Sequence, residues 1–190
     1  MNCHFDVPAL PPVSQPEAMA RLQSILLDDV EHWMGPRDRS DACLPPGFRA
    51  GPAWAWMTPL GAIAELSPES AQSWQFAVFE LAHECVHLAN RPLGGASRME
   101  EGAATLYGLP ACISIFDGRF LPVLKNGDPY ADAMRLVSRM GRQPMAALKA
   151  VRREAGNFRY STPQIVVEAV PGIDHSLAHR LCARFTEALT

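Results

Sequence analysis

The chain has 190 residues, 48% of them hydrophobic and 19% charged, which is enough apolar material to bury a sizeable core in one domain and excludes a disordered protein. Its net charge of -3, from 17 basic and 20 acidic residues, gives no field that favours nucleic acid or an anionic membrane. Five scattered cysteines, Cys3, Cys43, Cys85, Cys112 and Cys182, form no close pair, so a disulfide framework is excluded and a reduced, cytoplasmic setting is expected. The opening "MNCHFDVPALPP" has no basic stretch followed by an apolar one, and no run approaches the roughly 18 apolar residues that span a bilayer. A soluble protein with neither membrane nor nucleic-acid partner is expected, with its oligomeric state left open.

Pro8, Pro11, Pro12 and Pro16 predict an extended lead-in. In "EAMARLQSILLDDVEHWM", Met19, Leu22, Ile25, Leu26, Val30 and Trp33 share a stripe at helical spacing. "GPRDRSDACLPPGFRAGP" reads as a loop, and "AWAWM" and "LGAIAEL" as short strands. Ser67 is placed to cap a helix that Pro68 begins, and helical spacing holds from about Ala71 to Asn90. "NRPLGG" breaks it, after which Ser97 and Glu100 match a capping box, in which the serine caps the third amide and the glutamate reaches back. "SIFDGRFLPV" reads as a hairpin around Asp117-Gly118. "YADAMRLVSRM", "PMAALKAVRRE", "PQIVVEAV" and "HSLAHRLCARFTEAL" read as four further helices, the last capped by Asp174. These elements predict an α+β domain with a small sheet against the 71–90 helix and a helical C-terminal portion. Residues 1–50 form a lead-in and helix, 51–190 the main body, within a single domain.

The chemistry is concentrated in "LAHECVHLAN". Residues four apart on a helix differ by about 40° around its axis, so His83 and His87 project from one face a turn apart and can chelate one ion. Glu84 stands beside them, where its carboxylate can take a proton from a water activated by the metal; this is the logic of H-E-x-x-H as a zinc site. With 6 histidines and 11 glutamates in the chain, chance gives about 0.01 such matches, so coincidence is a poor account. Catalytic zinc takes three protein ligands. Glu100 and Glu101 both stand at the start of the next helix; the competing capping role of Glu100 favours Glu101 as the third ligand, with Glu100 the alternative.

HExxH followed by a glutamate from a second helix resembles the gluzincin zinc metallopeptidases, and "EEGAATLYG" resembles their E-E-G-x-A segment, in which the glutamate before glycine is the ligand. "AIAELSPES" resembles the edge strand and turn of small single-domain members, including regulatory peptidases of the ImmA and IrrE kind. "YADAMRLVSRMGRQPMAALKAVRRE" and "VEAVPGIDHSLAHRLCARF" resemble the tyrosine-led helix, glycine and closing helix pair of many gluzincins. The resemblance covers roughly residues 60 to 190, and only HECVH and EEG are specific. It implies a zincin-like fold, zinc held by His83, His87 and Glu101, Glu84 as general base, hydrolysis of a peptide or protein, and an edge strand at Gly61 to Leu66 that binds substrate backbone. The interval from His87 to Glu101 is short for the group. Tyr130, Tyr160 and His175 are the candidates for steadying the oxyanion.

Other readings are weaker. Cys43 ahead of HExxH resembles the ligand set of peptide deformylases, but their glycine-rich glutamine segment has no counterpart here. "VPGIDHSLAHRLCARF" resembles the DNA-binding helix-hairpin-helix element, except that Asp174 replaces its second glycine and a carboxylate repels phosphate. His175 and His179 are four apart without an adjacent glutamate and read as surface residues. Trp54, Trp56, Trp74 and Phe76 read as core or cleft wall rather than a nucleotide platform.

Overall fold

In the computed structural model, residues 3–120, 122–125 and 127–186 are described. The chain is mixed α+β, mostly helical with one three-stranded sheet. Helix α1, Pro16–Met34, starts with proline in its first turn and buries Met19, Leu22, Leu26, Leu27, Val30 and Met34 on one stripe. Each such side chain removed from water is worth about 1.5–3 kcal/mol before the cost of ordering the chain. The core to which it contributes is continuous from Cys3 to Leu181.

The sheet comprises β1 (Gly47–Phe48), β2 (Trp54–Thr58) and β3 (Gly61–Leu66), in the order β1-β3-β2. Strands β2 and β3 form an antiparallel hairpin in which Trp54 faces Glu65 and Thr58 faces Gly61. The expectation that Gly61 to Leu66 is an edge is therefore corrected. β1 pairs in parallel with β3, and Cys43 bridges Ala62 on the same flank, so β3 is central and β2 holds the free edge. Two residues of β1 carry no readable periodicity, which hid the pairing inside a segment expected to be loop. Gly61 has φ 141°, and a Cβ there would come within 2.3 Å of the Ala42 carbonyl oxygen, which accepts from the Ala62 amide. Only glycine permits that approach.

Ser67 caps α2 (Pro68–Gln72), accepting a hydrogen bond from the Ser70 amide at 3.3 Å. The helix expected from Ala71 onward is interrupted by Ser73 in an extended conformation, and α3 runs from Trp74 to Ala89. From Leu81 to Ala89 every residue of α3 is buried, because α1, α4 (Arg98–Phe116) and the sheet surround it. A helix enclosed on all sides needs little amphipathic contrast.

α4 has Ser97 as its cap, with the Glu100 amide donating to Ser97 Oγ at 3.2 Å. It continues through Pro110 to Phe116 and ends on Asp117 in the left-handed region. The expected hairpin at Asp117-Gly118 is thus a helix stop: the same residues that favour a tight turn also favour a left-handed C-cap. Leu121, inside that expected hairpin, lies outside the described residues. Helices α5 (Pro129–Ser138), α6 (Pro144–Ala155), α7 (Pro163–Ala169) and α8 (His175–Cys182) follow. α8 is shorter than expected. Beyond it the chain turns extended, and Ala183 and Phe185 pair antiparallel with the segment ahead of α4; residues 187–190 lie outside the described residues.

Two contacts position the site. A Cβ on Gly102 would come within 2.4 Å of the Ala133 carbonyl oxygen, so α4 and α5 touch backbone to backbone beside Glu101. Buried Arg152 of α6 donates to the carbonyls of Met34, Gly35, Pro36 and Ala89 and to Asn90 Oδ1, fastening the C-terminal ends of α1 and α3. Among the described residues no helix is long and apolar enough to cross a membrane.

Candidate metal centre

His83, Glu84 and His87 lie on α3, and Glu100 and Glu101 on the first turn of α4, which packs against it. His83 Nε2 lies 3.1 Å from Glu101 Oε2 and 3.2 Å from His87 Nε2, and the third side, His87 Nε2 to Glu101 Oε2, is 3.6 Å. Tetrahedral zinc with bonds near 2.0–2.1 Å separates its ligand atoms by about 3.3–3.4 Å. The three atoms thus form a triangle of the size of one face of such a tetrahedron.

The chemistry of the donors agrees with that size. His87 Nδ1 lies 2.9 Å from Glu100 Oε1. A carboxylate only accepts, so Nδ1 carries the hydrogen and Nε2 presents its lone pair toward His83 and Glu101. Glu100 therefore does not perform its expected half of the capping box: its amide is capped by Ser97, but its carboxylate orients His87. In the capping box Ser97 would reach Glu100 and be reached by it; here the nearby imidazole is the better partner for the carboxylate.

Burial alone would disfavour a proton on His87, yet the Glu101 and Glu100 carboxylates outweigh it and lift the imidazole well above its usual range. Burial also works against ionisation of Glu101, but His87 and His83 prevail and hold its carboxyl well below the usual carboxylate range. Glu84 differs. Burial raises its pKa, and the two histidines only partly offset that. The two carboxyl groups are thus pushed in opposite directions, Glu101 down by the imidazoles and Glu84 up by burial. Together, His83, His87 and Glu101 could hold a metal ion.

The centre opens onto two clefts. One, of about 240 Å³, is lined by the three candidate ligands with Ala53, Trp54 and Ala55 from the sheet and Arg184 and Phe185 from the C-terminal segment. The other, of about 230 Å³, includes Phe79, Thr105 and Asp128. Ala53, His83, Glu84 and Tyr130 line both, so the clefts meet over the motif.

Of the three candidates for the oxyanion, only Tyr130 reaches the centre, its ring 5.6 Å from that of His83 and edge-on to it. Tyr160 is 61% exposed and His175 is exposed on α8, and neither lines these clefts. Cys43 stands apart from the ligand cluster, its Sγ accepting from Arg37 at 2.8 Å. Asp174 caps α8 by accepting from the Leu177 amide at 3.0 Å. His179 is exposed, Trp54 lines the cleft, and Trp74 is core, packed 5.4 Å from the Phe5 ring with its Nε1 donating to the Leu10 carbonyl.

Sequence reasoning did not find Arg184 and Phe185 at the centre, because a contact with residues 96–98 so distant in sequence leaves no local signal. It also missed the role of Glu100, for which the adjacent acidic pair in "MEEG" was the available clue. The chain matches no protein-family description, no curated protein and no solved structure.

Proposed function

We propose that the protein is a zinc-dependent metallopeptidase with a zincin-like fold of gluzincin type, which hydrolyses an amide bond of a peptide or protein. The observation that carries this reading is the triangle of His83 Nε2, His87 Nε2 and Glu101 Oε2, with sides of 3.1, 3.2 and 3.6 Å. The donor set, two imidazoles and one carboxylate from two helices, suits zinc and leaves one tetrahedral position open. Zinc in that set would supply Lewis acidity, bringing the pKa of a water to about 7 and polarising the scissile carbonyl.

The chain's own groups account for the remaining work. Glu84, buried beside the two histidines and with a raised pKa, would accept a proton at its carboxylate and pass it to the leaving amine. Glu100 keeps the hydrogen on His87 Nδ1 and so fixes the direction of Nε2. Tyr130, which lines both clefts, would be the candidate to steady negative charge on the carbonyl oxygen. Substrate backbone would add to the free edge of β2, whose first residues, with Ala53, line the cleft. The five free cysteines accord with a cytoplasmic location.

Metal analysis of the purified protein beside its E101A and C43A variants tests the ligand set. One zinc per chain, lost in E101A and kept in C43A, is the expected result. Cleavage of a mixed peptide library then tests catalysis: E84Q should retain zinc and lose cleavage, and an E84Q protein as active as the parent would rule out the general-base role.

A further inference from the structure

We infer that Arg184 recognises a carboxylate on the substrate, so that the centre favours peptides carrying an acidic group near the scissile bond. This rests on the hydrolase reading of the same site and specifies its substrate class. Arg184 belongs to the extended segment after α8. The Phe185 amide donates to the Ala96 carbonyl and the Arg98 amide to the Ala183 carbonyl, each at 2.9 Å, and Arg184 bridges Ser97 between them. That register brings Arg184 into the wall of the 240 Å³ cleft that contains the ligand triangle.

Gly95 makes room for it. A Cβ on Gly95 would come within 2.9 Å of Arg184 Nε and 3.0 Å of Nη2, so the guanidinium lies against bare backbone. Phe185 holds the segment in place, its ring 4.9 Å from that of Tyr130, which in turn packs on His83. Of the three carboxyl groups in the cleft, Glu100 is engaged with His87 and Glu101 with His83, and Glu84 is buried beside the two histidines. Arg184 is exposed and, among the described residues, forms no ion pair, and it is the only lysine or arginine among the cleft's lining residues. A guanidinium offers a planar fork of donors that matches a carboxylate, and the surrounding glycine, alanine, proline and aromatic surface supplies no competing charge selectivity. The carboxylate is either the C-terminus of the peptide or an aspartate or glutamate side chain.

The test uses the full chain carrying E84Q, loaded with zinc so that peptides remain uncleaved. Alanine-rich hexapeptides with an uncharged, carboxylate-free BODIPY label on the N-terminus serve as probes in three forms: amidated and neutral, with a free C-terminus, and amidated with one internal glutamate. In fluorescence anisotropy, at least one carboxylate form should bind about tenfold more tightly than the neutral form. Adding R184Q should collapse that ratio toward one with zinc content unchanged, and R184K should retain part of it. Preference for the free C-terminus alone assigns the terminal carboxylate, and preference for the glutamate form assigns the side chain. Three forms that are indistinguishable, bound or not, or a preference that survives R184Q, overturn the inference. A parent chain that cleaves none of the peptides while the Arg184-dependent preference persists rejects hydrolysis and keeps the recognition. Cleavage of the neutral form as fast as the others, with no binding preference, does the reverse.

Discussion

Two buried polar clusters adjoin on α3, and they are built on opposite principles. At the C-terminal end, Arg152 places a cation among the carbonyls of Met34, Gly35, Pro36 and Ala89, with Asn90 Oδ1 beside them. Each of those hydrogen bonds joins a donor to an acceptor, and the positive charge meets the negative ends of two helices. Two residues earlier, His87 belongs to a group in which the Nε2 atoms of two imidazoles and a carboxylate oxygen converge across 3.1 to 3.6 Å. The depth of burial is similar, with Arg152 4% exposed and His87 8%. The difference teaches how to tell a polar cluster that holds a fold together from one that could hold a metal ion. The first satisfies itself by setting donors against acceptors, whereas the second brings three potential ligand atoms to one point, where a proton or a metal ion can be shared among them.

The largest expected break in this comparison is at the ligands. H87A or E101A should abolish stoichiometric zinc binding, read by elemental analysis of the purified protein, while the far-ultraviolet circular dichroism of a helical chain is retained. R152M should do the opposite. Breaking the carbonyl network of a buried charge costs about 3–5 kcal/mol in urea denaturation, and the fraction that remains folded should still carry zinc. A chelator sharpens the contrast: at a free zinc concentration about a thousand times Kd, binding contributes about 4 kcal/mol, so its removal should lower the melting temperature of the parent and not that of E101A. E100Q should weaken zinc binding about 10–100-fold by loosening the hold on His87 Nδ1, measured by competition with a chelating dye. S97A should have the smallest effect. It removes one helix cap for about 1 kcal/mol of stability, and since Glu100 does not reach back to Ser97, zinc affinity should change little.

Legibility followed the range of the interactions. Helix α1 and the caps Ser67, Ser97 and Asp174 could be read directly, because stripes and caps act over three or four residues. The convergence of His83, His87 and Glu101 was legible for a similar reason: the motif is a single helical turn, and its partner stands at a capped helix start close behind. Where two local structures draw on the same residues, the sequence was ambiguous. Asp117-Gly118 suits a hairpin and a helix stop equally, and Glu100 suits a capping box and an imidazole. What lay beyond reading was long-range pairing. β1 takes the flank of β3, and Arg184 enters the cleft, through backbone hydrogen bonds that any side chains could make.

The contact at Gly102 has a consequence for how this centre can vary. The carboxylate of Glu101 sits one residue ahead of the spot where Gly102 meets the Ala133 carbonyl and the Val137 side chain of the next helix, and the first turn of that helix carries the tyrosine that leans on His83. A single methyl group added there would act as a wedge, driving both walls of the centre apart at once. The seam between these helices sets the gauge to which everything near the imidazoles must conform.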